Sequence, residues 1–180
     1  MKIPFNKYES SRDAHSNVSD ALDGEEVNQV EQLEVDFAEY TGSEYALATS
    51  HGTSALHLAM LALDLKRGDK VVCCVNAHPN VPEVVRHFDA EPVFIDIDEA
   101  SYNIDLDKLE AYLEDNKSKK LKAVIITHLG GLSVDLDRVY NMAKIYKVKI
   151  VEDACDALGA TYNGEKIGSN GADIVCFNFS

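Results

Sequence analysis

Five segments of this 180-residue chain are nearly unbroken apolar runs, and most are separated from the next by a helix-length stretch. They are residues 70–75 (KVVCCV), 92–97 (PVFIDI), 122–127 (KAVIIT), 148–152 (VKIVE) and 172–179 (ADIVCFNF). A strand whose apolar residues do not alternate with polar ones is buried on both faces, and strands of that kind belong to parallel sheets covered by helices above and below. The intervening segments agree. Residues 80–88 fit a short helix opened by Pro79, residues 105–113 a helix with Asp105 as N-cap, and residues 135–146 a third. Upstream, Val27, Val30, Leu33, Phe37 and Tyr40 keep helical spacing across 26–40, and the Ala/Leu-rich 52–65 reads as a buried helix. Residues 44–49 (EYALAT) read as a short strand between these two. The expected fold is α/β in three layers: a mostly parallel, mixed sheet with helices on both faces. The first 24 residues are polar and weakly patterned, and are expected to form an arm over the surface or toward a partner subunit. The chain stops at the end of an apolar run, which suggests part of a longer protein.

Charge narrows the partners. Asp and Glu number 31 against 17 Lys and Arg, a net charge of −14. There is no excess of cations to neutralise nucleic-acid phosphates or to hold an anionic membrane. No apolar run approaches the roughly 20 residues of a membrane span, and the first residues lack a signal-peptide core. The expected location is the cytoplasm. Cys73, Cys74, Cys155 and Cys176 form no C-x-x-C pair and read as small buried hydrophobes in a reducing compartment. The six histidines contain no H-E-x-x-H spacing, so a zinc site is not expected. Asn17-Val18-Ser19 matches a glycosylation sequon, but without a secretion signal it carries no weight.

Parallel sheets place ligands at the carboxyl ends of their strands, so the residues just after each run matter most. Ser50-His51-Gly52-Thr53-Ser54 opens a helix. Gly52 permits a tight turn, and the first-turn amides with the Thr53 and Ser54 hydroxyls could bind a phosphate, or a hydroxyl could merely cap the helix. Glu152, Asp153 and Asp156 cluster where an apolar strand ends; Asp153 could hold a protonated heterocyclic nitrogen, bind a metal or cap the next turn. His78, after the 70–75 strand, could stack on a planar ring or simply be solvated. Thr127-His128-Leu129-Gly130-Gly131 suggests close approach of backbone to something, or only a turn. Together these favour a planar, phosphorylated nitrogen heterocycle. Neither G-x-G-x-x-G nor a P-loop is present.

Four stretches then carry a resemblance: 50–58 (SHGTSALHL), Glu91-Pro92-Val93-Phe94-Ile95-Asp96 with Tyr102-Asn103-Ile104-Asp105, 127–137 (THLGGLSVDLD) and 151–160 (VEDACDALGA). Their order and spacing resemble the DegT-type sugar aminotransferases, fold-type I enzymes that use pyridoxal 5′-phosphate (PLP) on nucleotide-linked keto-sugars. The resemblance implies that residues 25–180 are the first part of a PLP-binding large domain, without its C-terminal small domain. It implies that Gly52 and Thr53 bind the phosphate, that His78 stacks on the pyridine face, and that Asp153 pairs with the pyridine nitrogen. Asn178 takes the place of a phosphate-binding serine. Asp156 stands where most members carry Gln or His near the phenolic oxygen, and a second carboxylate there would oppose the phenolate. Asp23-Gly24-Glu25-Glu26 replaces the family's common T-Q-G stretch. The Schiff-base lysine would lie three residues beyond Ser180.

The activity this implies is transfer of an amine, typically from glutamate, to a keto carbon of a nucleotide-linked sugar in deoxyamino-sugar or surface-polysaccharide synthesis, by a homodimer. The Asp-Ala-Cys-Asp-Ala-Leu-Gly run is also similar to a subgroup that deoxygenates C-3 of nucleotide sugars with histidine in place of the lysine. A non-catalytic remnant is the third reading, if the chain is complete as written.

Overall fold

The computed structural model describes residues 13–24, 28–169 and 171–179. Three helices lead: α1 (Ala14–Asp23), α2 (Gln29–Thr41) and α3 (Gly52–Ala62). An alternating series follows, β1 (Lys70–Cys74), α4 (Asn80–Arg86), β2 (Glu91–Ile95), α5 (Leu106–Asp115), β3 (Leu121–Thr127), α6 (Leu136–Tyr146) and β4 (Lys149–Asp153). A two-stranded hairpin, β5 (Thr161–Tyr162) with β6 (Glu165–Lys166), precedes β7 (Ile174–Cys176).

The five long runs all enter one sheet in the order β2-β1-β3-β4-β7, and every pairing in it is parallel. Antiparallel ladder pairing among the described strands is confined to the β5–β6 hairpin. Because successive side chains leave a strand on opposite faces, each apolar run feeds two cores. Val72, Cys74, Val124, Ile126 and Ile150 pack with Leu109, Leu113, Val139 and Met142 of α5 and α6. Val71, Cys73, Ala123, Ile125 and Val151 pack with Leu56, Met60, Val81, Val84 and Val85 of α3 and α4. Helices therefore cover both faces, as the unbroken runs require. Burying each such side chain is worth about 1.5–3 kcal/mol. Asp105 caps α5 through the amides of Asp107 and Lys108, and Asp135 caps α6 through that of Arg138.

Four expectations need correction. Residues 44–49 form no strand; the segment has no ladder partner, and the Ala48 amide donates instead to Glu34 Oε1 on α2 at 2.8 Å. The last strand is three residues long, not eight. Beyond Cys176 the chain leaves the sheet so that Phe177 and Phe179 can pack edge-on against Phe37, with centroids 5.1 and 5.5 Å away. The helix expected over 52–65 ends at Ala62, before the turn that holds Asp64 at φ 53°. Part of the N-terminal arm is helical: α1 buries no residue and ends at Gly24 in the left-handed region. The remaining arm positions, 1–12, and residues 25 and 26 of the Asp-Gly-Glu-Glu stretch lie outside the described residues.

Candidate functional site

The chain runs from β1 to β2 on one side of β1 and then crosses from β2 to β3 on the other. Such a switch point opens a crevice outside the carboxyl ends of the strands. His78 follows β1, Thr127 ends β3, Asp153 ends β4 and Asn178 lies two residues past β7. Thr127 and Asp153 continue the alternation of Ala123-Ile125 and Val151, so their side chains emerge on the α3–α4 face.

The amino end of α3 stands on that edge. His51 is the N-cap, its Nδ1 accepting the Ser54 amide at 3.2 Å, while the Ser54 and Ala55 amides also reach the His51 carbonyl. Capping therefore falls to an imidazole rather than to Ser or Thr. The Gly52 and Thr53 amides take no partner among the described residues. That leaves two donors at the positive end of a helix dipole. Gly52 is buried, and a Cβ there would stand 3.2 Å from both Asn178 Cβ and Cys155 Sγ. Only glycine lets three segments approach so closely. Thr53 Oγ1 accepts from Asn80 Nδ2, tying the starts of α3 and α4 together.

Asp153 is 4% exposed. Its two oxygens accept weak hydrogen bonds, from Thr127 Oγ1 at 3.4 Å and from the Cys155 amide at 3.3 Å. Among the described residues no cation pairs with it. A buried carboxylate so thinly satisfied is costly unless something else donates to it. Burial, and then the neighbouring Asp153 carboxylate, push the Cys155 thiol well up, so Cys155 stays a neutral S–H beside that carboxylate. Burial pushes Cys176, the register partner of Asp153, up to about 12, with Asp153 again contributing.

The other expected site residues separate. Asn178 is half-buried against Gly52. His78 is exposed; its Nδ1 accepts the Asn80 amide at 3.3 Å, which links it through Asn80 to Thr53. Asp156 is exposed as well, and its backbone carbonyl stands 3.2 Å from where a Cβ on Gly131 would be, with Gly131 at φ 82°. Contacts thus join Gly52, Thr53, His78, Asp153 and Asn178 along one edge, and Asp156 turns outward at its margin. Two surface hollows, of about 350 and 280 Å³, lie elsewhere, one beside α6 and the start of β4 and one beside the start of α5, and share no residue with this edge.

The sequence model of the DegT/DnrJ/EryC1/StrS aminotransferase family matches residues 9–180. The chain belongs to this family. It is 36% identical over 148 residues to a GDP-perosamine synthase of Caulobacter vibrioides, covering 82% of this chain and 38% of that protein. It is 37% identical over 151 residues to the spore coat polysaccharide biosynthesis protein SpsC of Bacillus subtilis, covering 84% and 38%. The PLP form of the sugar aminotransferase Spr1654 of Streptococcus pneumoniae superposes with a TM-score of 0.87 at 27% identity, covering all of this chain and 49% of that one. An Escherichia coli GDP-4-keto-6-deoxy-D-mannose-3-dehydratase superposes at 0.83 with 24% identity, covering 93% and 44%, which shows the shared fold alone. The chain spans less than half the length of each of these relatives.

This DegT-family chain also pairs polar groups whose partnership the sequence did not show. His128 and Glu152 are both fully buried, with Nε2 3.0 Å from Oε2. Tyr140 donates its hydroxyl to the other oxygen of Glu152. An acid and a histidine ending two neighbouring apolar runs were the available signal. What the sequence could not give was that β3 and β4 are adjacent and in register, Ile126 against Glu152 and Thr127 against Asp153. Asn103 is a further buried clamp: its side chain accepts from the Leu129 amide and donates to the Leu132 carbonyl, fixing the turn after β3.

Proposed function

We propose that the protein of which this chain forms part is a PLP-dependent aminotransferase that transfers an amine, from a donor such as glutamate, to a keto carbon of a nucleotide-linked sugar. Surface-polysaccharide or deoxyamino-sugar synthesis is the setting, by analogy with the GDP-perosamine synthase and SpsC relatives. One observation carries the reading: a buried carboxylate, Asp153, shares a strand-end edge with a helix terminus, and among the described residues the acid has no cation and the first two amides no partner. That donor set fits PLP. An acid is placed for a protonated ring nitrogen and amides for a phosphate dianion.

Bound PLP supplies an electron sink for negative charge developing at the substrate carbon. The chain's own residues would hold and tune it. Asp153 would hold a proton on the pyridine nitrogen, because its burial excludes competing water and no other cation neutralises it. The Gly52 and Thr53 amides would meet the phosphate at the helix terminus, with the Asn178 side chain alongside. His78 would lie against the ring face, restrained by the Asn80 amide on its Nδ1. Cys155, neutral and packed between Gly52 and Asp153, would keep that end of the crevice dry.

The reading extends to residues 25–180 as the first part of the PLP-binding domain, preceded by an arm that is helical over Ala14–Asp23. It extends to a homodimer, supported by family membership, and to the cytoplasm, supported by four cysteines that stay free. The test is to incubate the full protein with PLP, glutamate and a nucleotide-linked keto-sugar and to follow the products by mass spectrometry. An aminated sugar with stoichiometric 2-oxoglutarate supports the reading. A sugar that loses an oxygen without gaining nitrogen assigns the dehydratase instead, and no PLP binding overturns both.

A further inference from the structure

Glu152 and Asp153 are consecutive on β4, and Thr127 and His128 are consecutive at the end of β3. Each pair of neighbours sends one side chain to each face of the sheet. The result is two cross-strand latches at one level. On the α3–α4 face Thr127 Oγ1 donates to Asp153 Oδ2 at 3.4 Å. On the α5–α6 face the His128 ring meets Glu152 at 3.0 Å. Between them the His128 amide donates to the Asp153 carbonyl at 3.0 Å.

The second latch is the better made. Nε2 of His128 stands 3.0 Å from Oε2 of Glu152. Tyr140, reaching from α6, donates to the remaining Glu152 oxygen. The Gly171 and Ala172 amides approach the Tyr140 hydroxyl in turn, tying in the lead to β7. Burial first, and then the Glu152 carboxylate, push the Tyr140 hydroxyl far up, so it remains a donor. Nδ1 of His128 is buried with no partner.

Stability does not explain such a group. A buried acid–imidazole contact is commonly no better than apolar residues of the same volume, and here one ring nitrogen is left unsatisfied. Its position suggests a different use. It joins the residues adjoining Thr127 and Asp153 from behind, on the α5–α6 face of the sheet.

We propose that Tyr140, Glu152 and His128 are positioning residues that set the placement of the Asp153 carboxylate from the opposite face of the sheet. The proposal rests on the reading of Asp153 as the partner of the PLP ring nitrogen. The arrangement divides labour. Asp153 makes only weak bonds of its own and stays available to a cationic N–H, while the strand end that bears it is fixed by strong bonds it does not share.

A double-mutant cycle tests this in the full protein, with PLP affinity from absorbance titration as the readout and thermal melting measured alongside. Tyr140→Phe is the gentle variant, since it removes a hydroxyl without opening a cavity; Glu152→Gln is the stronger one. Coupled neighbours give interaction energies corresponding to roughly 2- to 150-fold changes, so each variant should weaken PLP within that range in the wild-type background. Neither should weaken it further in an Asp153→Asn background. The pH at which bound PLP changes its absorbance should also fall in Tyr140→Phe, because a displaced carboxylate holds the ring proton less well. If Asp153→Asn leaves PLP affinity unchanged, the cofactor reading itself fails and takes the proposal with it. If Asp153→Asn weakens PLP but the other two variants bind it normally, or weaken it equally in both backgrounds, the positioning role is overturned and the cofactor reading stands. A lowered melting temperature with unchanged PLP affinity overturns it likewise.

Discussion

The two faces of the β3–β4 tip are built from the same backbone and do opposite things. Behind the sheet His128 and Glu152 are sealed, in short contact and braced by Tyr140. In front Asp153 has two long hydrogen bonds and the neighbouring Cys155 thiol, and no cation among the described residues. A carboxylate behind is satisfied by the protein; the one in front is left for something else to satisfy. Adjacent residues of one strand thus separate a firmly bonded acid from a thinly bonded one, with the pleat as the partition. The lesson is that neither burial nor charge distinguishes the two acids; the quality of their hydrogen bonds does.

The largest expected effect removes the front acid. Asp153→Ala should weaken PLP on the order of 100-fold and abolish turnover in the full enzyme, while its melting temperature stays near wild type, because a thinly bonded group contributes little to folding. Near-normal turnover would remove Asp153 from the chemistry. Removing the rear acid should act on stability as well as on PLP. Glu152→Ala leaves His128 and Tyr140 unpaired in a sealed space and should cost about 3 kcal/mol by urea unfolding. A cost under about 1 kcal/mol would mean that the rear latch is not held as described.

How much of this was visible in the sequence follows from the same comparison. The sheet was legible, because unbroken runs such as KAVIIT can be buried only on both sides, and the Asp105 and Asp135 caps stand where a helix must begin. The 44–49 segment was not, because whether an EYALAT extends beside a strand or along a helix depends on a partner, here Glu34, fourteen residues away. Phe177 and Phe179 misled for the same reason: an apolar run continues whether its residues meet a sheet or the ring of Phe37. On the front face His78 and Asp153 stand at or just past strand ends, whereas Gly52 and Thr53 open a helix that no strand precedes. The rear triad was not legible, since Tyr140 belongs to a helix stripe that periodicity alone assigns to packing, and its hydroxyl finds Glu152 only in three dimensions.

Gly52→Ala probes the front edge at the helix terminus. Its Cβ would stand 3.2 Å from Asn178 Cβ and Cys155 Sγ, so two segments must yield by a few tenths of an ångström. Overpacking of that kind costs about 1–3 kcal/mol. The variant should bind PLP about 10-fold more weakly and inorganic phosphate, as a competitor, more weakly too. Unchanged affinity would separate the α3 terminus from the ligand.

The front face should also answer to alkali. Burial pushes Cys73 and Cys176 up to about 12 from an ordinary value of 9.0. The folded protein then keeps protons that the unfolded chain releases once pH passes the ordinary value, so stability is full below about pH 9 and falls as pH rises toward 12. Melting temperatures between pH 8 and 11 should decline, and Cys176→Ala should flatten the decline. A decline of equal slope in that variant would assign the alkaline sensitivity to other groups.

The smallest effect belongs to His78, and it bears on whether the front edge is organised by rings as well as charges. The side chain is exposed, and its one described bond, the Asn80 amide on Nδ1, limits how the ring can turn. An imidazole offers less stacking area than a phenyl or indole, and aromatic pairs are worth only about 0.5–1.5 kcal/mol beyond the area they bury. His78→Ala should therefore weaken PLP by no more than about 3- to 10-fold, and His78→Phe should restore or improve binding, since a larger ring keeps the contact without the nitrogen. The pair of variants separates two roles for one residue. If Phe restores affinity, the ring face is what matters. If Phe binds as poorly as Ala, the imidazole acts through its nitrogen, by holding Asn80 and through it Thr53, and the α3 terminus rather than the ring would be what His78 serves.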